Sequence, residues 1–263
     1  KGLGYLIAPI FAGLLIGEVV GWKPFALAWV FLCFSVATYA VVAFLTNKKG
    51  AELVRETPKR RMSLLQELKL WKKVGRALFP ILLFTVLLNI IDSFFWVVGP
   101  ILSESLMKLH PLGGLILTFY MLPGLLVGWF IGPLTKKYGK KRTAFFSVFL
   151  GGIVLSSFSF FREPILFLIA VLLFSTLSSV AWPSIKAVIS NFISEAPKIE
   201  EEIEGLGDFS NNVGYVIGPI LAGFLADRFG DAQAFSVLGG ITILTVIIVF
   251  LITPRKINLQ KHL

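Results

Sequence analysis

The chain is poor in the residues that most often carry chemistry. It has one cysteine and two histidines in 263 residues. A lone Cys33 forms no disulfide within the chain and is silent on redox compartment. His110 and His262 lack metal-ligand spacing, so no metal site is expected. No Gly-x-x-x-x-Gly-Lys-Ser/Thr run occurs, which removes nucleotide hydrolysis through a P-loop. The reading is of a non-enzyme that needs no cofactor. Charge is scarce too: 15% of residues are Asp, Glu, Lys or Arg, against about 25% in soluble domains. Apolar residues take their place, with 56% hydrophobic residues, 25 Phe and a mean hydropathy of +0.83. That balance suits a chain dissolved in a lipid bilayer. The net charge of +10 would suggest nucleic acid in a soluble protein. Here the basic residues collect in particular loops, which is a signal of membrane orientation instead. No nucleic-acid partner is expected.

Taking about 20 residues per crossing, eight apolar runs are long enough to span: Leu3–Val20, Phe25–Thr46, Ala77–Pro100, Leu112–Leu134, Thr143–Phe161, Pro164–Phe192, Leu206–Ala226 and Ala232–Thr253. None alternates with period two, so helices are expected rather than a barrel. The fold class is therefore an all-α polytopic membrane bundle. Residues Lys48–Arg76 form the one long polar connection and carry many more Lys and Arg than Glu, which places it in the cytoplasm. Its second part reads either as an amphipathic helix on the inner surface, with Leu64, Leu68 and Trp71 on one face, or as a solvated linker. Alternation then puts Lys136–Arg142 and both chain ends inside and Arg162 outside, in a multi-pass protein of the cell membrane.

One stretch occurs twice. Gly214-Tyr-Val-Ile-Gly-Pro-Ile-Leu-Ala-Gly-Phe-Leu225 repeats Gly4-Tyr-Leu-Ile-Ala-Pro-Ile-Phe-Ala-Gly-Leu-Leu15. The copies stand 210 residues apart, from Gly4 to Gly214, the length of a six-helix half of a transporter rather than of a solenoid unit. In the second copy Gly214, Gly218, Ala222 and Ala226 recur every four residues, a small-residue face that lets a neighbouring helix approach. Gly124, Gly128 and Gly132 read as another such face, as do Gly13, Gly17 and Gly21. Pro219 deletes a backbone donor and should kink its helix.

This stretch resembles the motif Gly-x-x-x-Gly-Pro-x-x-Gly-Gly of helices five and eleven in the major facilitator superfamily. The second copy matches at Gly214, Gly218, Pro219 and Gly223; the first matches at Gly4, Pro9 and Gly13, with Ala8 and Ala12 as departures. The basic loop is similar to the family's loop motif at Gly132, Gly139, Lys140 and Arg142, but Lys136 holds the position of its acid. The resemblance implies a hinge-like turn there and no gating ion pair. It also implies that residues 1–46 are the last two helices of an N-terminal half, 47–76 the central linker and 77–263 a six-helix C-terminal half. About four further helices are then expected ahead of Lys1.

Candidate binding residues lie on two stripes. Thr85, Asn89, Asp92 and Trp96 share one helix face. An acid within a span is costly unless it faces a cavity or a partner, so Asp92 is a candidate for substrate or proton binding, or else a structural tie to a neighbouring helix. Ser175, Ser178, Ser179, Trp182 and Lys186 form the second stripe. Trp182 offers a ring and an N–H to a ligand, whereas Lys186 is expected to snorkel to headgroups. By the resemblance both helices line a central cavity. Asp208, after Gly207, reads as a helix N-cap, and Asn211 and Asn212 as bridges between helices. The resemblance implies secondary transport of a small molecule by alternating access, with protons and the bilayer as its other partners. Efflux in exchange for protons is the first reading. Proton-coupled uptake of a nutrient, and a non-transporting membrane scaffold on the same fold, are the rivals.

Overall fold

In a computed structural model the described residues are 22–47 and 64–253. The first motif copy, with Gly4, Pro9 and Gly13, and most of the central linker lie outside them. Every expected run within them is helical, and no strand occurs among them. We label the helices α1 (Lys23–Asn47), α2 (Leu64–Met107), α3 (Ile116–Leu126), α4 (Gly128–Tyr138), α5 (Lys140–Ser156), α6 (Pro164–Glu195), α7 (Glu200–Phe229) and α8 (Asp231–Ile252). Six are long and apolar enough to cross a membrane, and the bent pair α3–α4 makes a seventh if taken as one span. Contacts group α1 with one compact unit and the helices after it with another. Residues of α1 from Phe25 to Leu45 carry a mean hydropathy of 2.2 and are nowhere buried.

In the second unit α2 is the pivot. It is unbroken from Leu64 to Met107, so the basic stretch ahead of Ala77 continues into the membrane helix. Trp71, expected on a surface-lying face, sets its ring against Phe209 of α7 at 6.5 Å between centroids. Higher up, Phe84 meets Phe145 of α5, Phe94 meets Phe235 of α8, and Phe95 stacks between Tyr120 of α3 and Phe174 of α6. Offset and edge-on aromatic pairs of this kind add about 0.5–1.5 kcal/mol each beyond area burial. The abundant Phe therefore divides between this internal seam and the exposed outer faces, where Phe79, Phe146, Phe224 and Phe250 stand.

Small residues set the closest helix approaches. A Cβ on Gly214 would lie 2.5 Å from the Asn89 Cβ and 2.7 Å from the Val86 carbonyl oxygen, and one on Gly218 would collide with the Ser93 hydroxyl. Ala222 is fully buried on the same face. The repeat of four thus seats α7 directly on the α2 backbone. A second close approach joins α5 to α8, where a Cβ on Gly239 would meet the Ser156 nitrogen and the Gly152 carbonyl oxygen. The Gly151-Gly152 and Gly239-Gly240 pairs were its only sequence signal.

The proposed face Gly124–Gly128–Gly132 needs correction. Among the described residues nothing lies within 4 Å of a Cβ at Gly128 or Gly132. A 62° bend between the helix that ends at Leu126 and the one that begins at Gly128 takes Gly124 off the line of the other two. Pro123 contributes to the bend by leaving the Phe119 carbonyl without its helical donor. The Ser175 hydroxyl of α6 donates to that carbonyl at 3.1 Å. Turns at Gly139 (φ 85°) and Gly230 (φ 88°) close α4–α5 and α7–α8 in the same left-handed conformation, which costs glycine little.

Candidate functional site

Four helices bring polar groups together inside this apolar bundle. From α2 come Asn89 and Asp92, from α3 Tyr120, from α6 Trp182 and Lys186, and from α7 Asp208, Asn211, Asn212 and Tyr215. Asn89 is 1% exposed; its amide donates to the Thr85 carbonyl at 2.8 Å and to Asn211 Oδ1 at 2.9 Å. Asn211 thus bridges α7 to α2, as its position within a span suggested. An amide that donates across to a neighbouring helix in this way helps fix the register of the two.

Asp92 accepts two phenol hydroxyls. Tyr120 donates to Oδ1 at 2.5 Å and Tyr215 donates to Oδ2 at 2.7 Å. Charge-assisted hydrogen bonds are short and strong, and two of them offset much of the cost of holding an acid within the span. The two donors differ in their surroundings. Tyr120 is 6% exposed, its ring stacked on Phe95 with centroids 4.1 Å apart. Tyr215 is 45% exposed and stands in the wall of a cleft of ≈ 410 Å³. Asn89, Trp182, Lys186, Asp208, Asn211 and Asn212 complete that wall.

Of the expected binding residues, Asn89 and Trp182 line the cleft, and Asp92 touches it through Tyr215. Trp96 and Ser179 are absent from its wall. Trp96 is exposed on α2, a turn beyond Asp92, and Ser179 lies half-buried, 3.8 Å from where a Cβ on Gly124 would sit. Lys186, expected to reach for headgroups, stands in the cleft wall, opposite in charge to Asp208. Asp208 is no N-cap: α7 begins at Glu200, two turns earlier, which leaves this side chain free to line the cleft. In the loop motif, Lys140 Nζ donates to Asn191 Oδ1 at 2.7 Å and to the Ala187 carbonyl at 3.3 Å, tying the turn to the end of α6. Arg142 is exposed. Among the described residues no cluster of His, Cys, Asp and Glu is arranged to hold a metal ion.

Tyr120 and Tyr215 were not among the sequence candidates for partnering Asp92. Tyr215 carries a signal in retrospect, since it sits inside the repeated stretch one residue after Gly214, the glycine that packs on Asn89.

The family follows from the matched region. The sequence profile described as Major Facilitator Superfamily matches residues 81–262, which run from the first turns of α2's apolar part through α8. The chain belongs to that superfamily. It is accordingly a multi-pass membrane protein with the all-α bundle of secondary transporters. Within this superfamily bundle, α2, α6 and α7 carry the polar groups of the cleft, and α5 and α8 pack behind them through glycine and phenylalanine.

Proposed function

We propose that this protein exports a small molecule across the cell membrane in exchange for protons, by alternating access. The observation that carries the reading is a single hydroxyl, Tyr215, shared between a polar cleft and the carboxylate of Asp92. In this reading Asp92 is the proton site, and the cleft beside it has the chemistry for a small polar ligand: three amides, an indole, a phenol, one cation and one anion. Proton and substrate that depend in turn on one carboxylate move in opposite directions, and with protons moving inward the substrate moves outward. Asp92, Asn89 and Trp182 are the binding residues of this reading. The basic loop Lys136–Arg142 faces the cytoplasm.

The scaffold reading has one observation in its favour: both Asp92 oxygens are satisfied within the protein. Asn212 separates the two readings, because it is exposed in the cleft wall. An Asn212→Cys variant of the full-length protein, in a Cys33→Ala background, is treated with a membrane-impermeant maleimide in right-side-out and inside-out vesicles. A transporter exposes position 212 to both sides, and an imposed proton gradient changes the ratio of the two labelling rates. Labelling from one side only, indifferent to the gradient, supports the scaffold.

A further inference from the structure

The cleft holds two opposite charges that do not meet. Lys186 stands on α6 and Asp208 on α7, and both belong to its wall. Along their helices they are level. Lys186 lies nine residues before α6 ends at Glu195, and Asp208 lies eight residues after α7 begins at Glu200. At 1.5 Å of rise per residue, each is about 12–14 Å from the α6–α7 connection. Both side chains are exposed. Among the described residues no ion pair joins them, and neither is paired with any other charge. An ion pair between exposed groups contributes about 0–1 kcal/mol, so closing on each other offers them little that a ligand's own charges would not. The neighbours suit a small polar ligand. Trp182 is one turn from Lys186, and Asn212 one turn from Asp208. The indole offers an apolar face, and the amide offers a donor and an acceptor.

A ligand of one sign fares badly between these walls. A cation drawn to Asp208 is repelled by Lys186, and an anion drawn to Lys186 is repelled by Asp208. A ligand that carries both charges turns each repulsion into an attraction. We infer that the cleft takes a small zwitterion, its carboxylate on Lys186 and its ammonium on Asp208, which makes amino acids or short peptides the substrate class. Lys186 and Asp208 together act as a charge filter that turns away simple amines and simple acids. The volume of ≈ 410 Å³ suits a molecule of that size. The inference rests on the transport reading above, which named only a small polar ligand, and it involves neither Asp92 nor its two phenols.

The test compares four probes on the unmodified full-length protein in detergent. Leucine and leucyl-leucine are zwitterions. 3-Methylbutylamine is leucine without its carboxylate, and 4-methylpentanoate is leucine without its ammonium. Binding is read as a rise in melting temperature with probe concentration. At least one zwitterion should bind about ten-fold tighter than the amine and the acid, each of which lacks one charge-assisted hydrogen bond. Lys186→Gln should weaken that zwitterion about ten-fold and improve binding of the amine. Asp208→Asn should weaken it to a similar extent and improve binding of the acid. These mirrored gains separate a filter from a damaged fold, and the comparison of probes needs no variant at all. An amine or acid that binds as well as both zwitterions overturns the inference, as does failure of all four probes to move the melting temperature. Loss of the zwitterion in both variants with no gain for either single-charge probe overturns it too. The transport reading is judged apart from these outcomes, by the two-sided labelling of position 212, which needs no ligand.

Discussion

At the scale of single residues, the second motif copy is a contact surface whose glycines differ sharply. Gly218 has the Ser93 side chain and the Ile90 Cα where a Cβ would go, whereas Gly223 has nothing within 4 Å. Overfilling a well-packed contact costs about 1–3 kcal/mol. Gly218→Ala should therefore lower the melting temperature in detergent clearly, and Gly223→Ala should leave it nearly unchanged. Ser93→Gly should recover most of the loss in the double variant, since the Ser93 hydroxyl is the obstructing group and its own bond runs only to the Ile90 carbonyl. Equal destabilisation by both glycine variants would mean that α7 does not sit on α2 along this face. The Gly214–Gly218 half of this face was legible in the sequence because spacing by four needs no knowledge of the partner. Which helix it meets was not legible, because Val86, Asn89 and Ser93 look like any other positions of an apolar run.

At the scale of elements, the bend between α3 and α4 shows a proline handled by a neighbour. Pro123 deprives the Phe119 carbonyl of its helical donor, and Ser175 supplies one from α6. In hydrocarbon no water replaces it. Ser175→Ala should cost about 1–3 kcal/mol, the usual penalty for stranding a buried polar group. In a Pro123→Ala background, where residue 123 regains its N–H, the same change should cost much less. Thermal melts of the four proteins close that double-mutant cycle; a coupling near zero would remove the account of the bend. Sequence runs read helix existence well and helix continuity badly. Leu112–Leu134 is one apolar run, yet it is folded as a short turn and two helices with 62° between them. Likewise the polarity of Glu200–Glu204 concealed that α7 begins there, and so concealed Asp208 as a member of the cleft wall.

At the scale of the whole molecule, family and architecture were readable from composition, run length and one repeated motif, because these express the bilayer's demands on any chain that crosses it. The site was readable only in part. Asp92 and Asn89 announced themselves as polar groups within a span, but nothing in the sequence links Asp92 to Tyr120 and Tyr215, and tertiary geometry alone joins them. The account turns on Asp92 as the group through which protons drive export. The most direct measurement is made on Asp92→Asn in the full-length protein, reconstituted in proteoliposomes and loaded with a compound that the unmodified protein carries. Asparagine keeps the shape and the acceptor oxygen for one tyrosine, so the protein should assemble. An imposed pH gradient should no longer accelerate export, while exchange of compound across the membrane without a gradient stays within about three-fold of the unmodified protein, as expected for loss of coupling without loss of binding. Gradient-driven export that persists in Asp92→Asn would contradict the account.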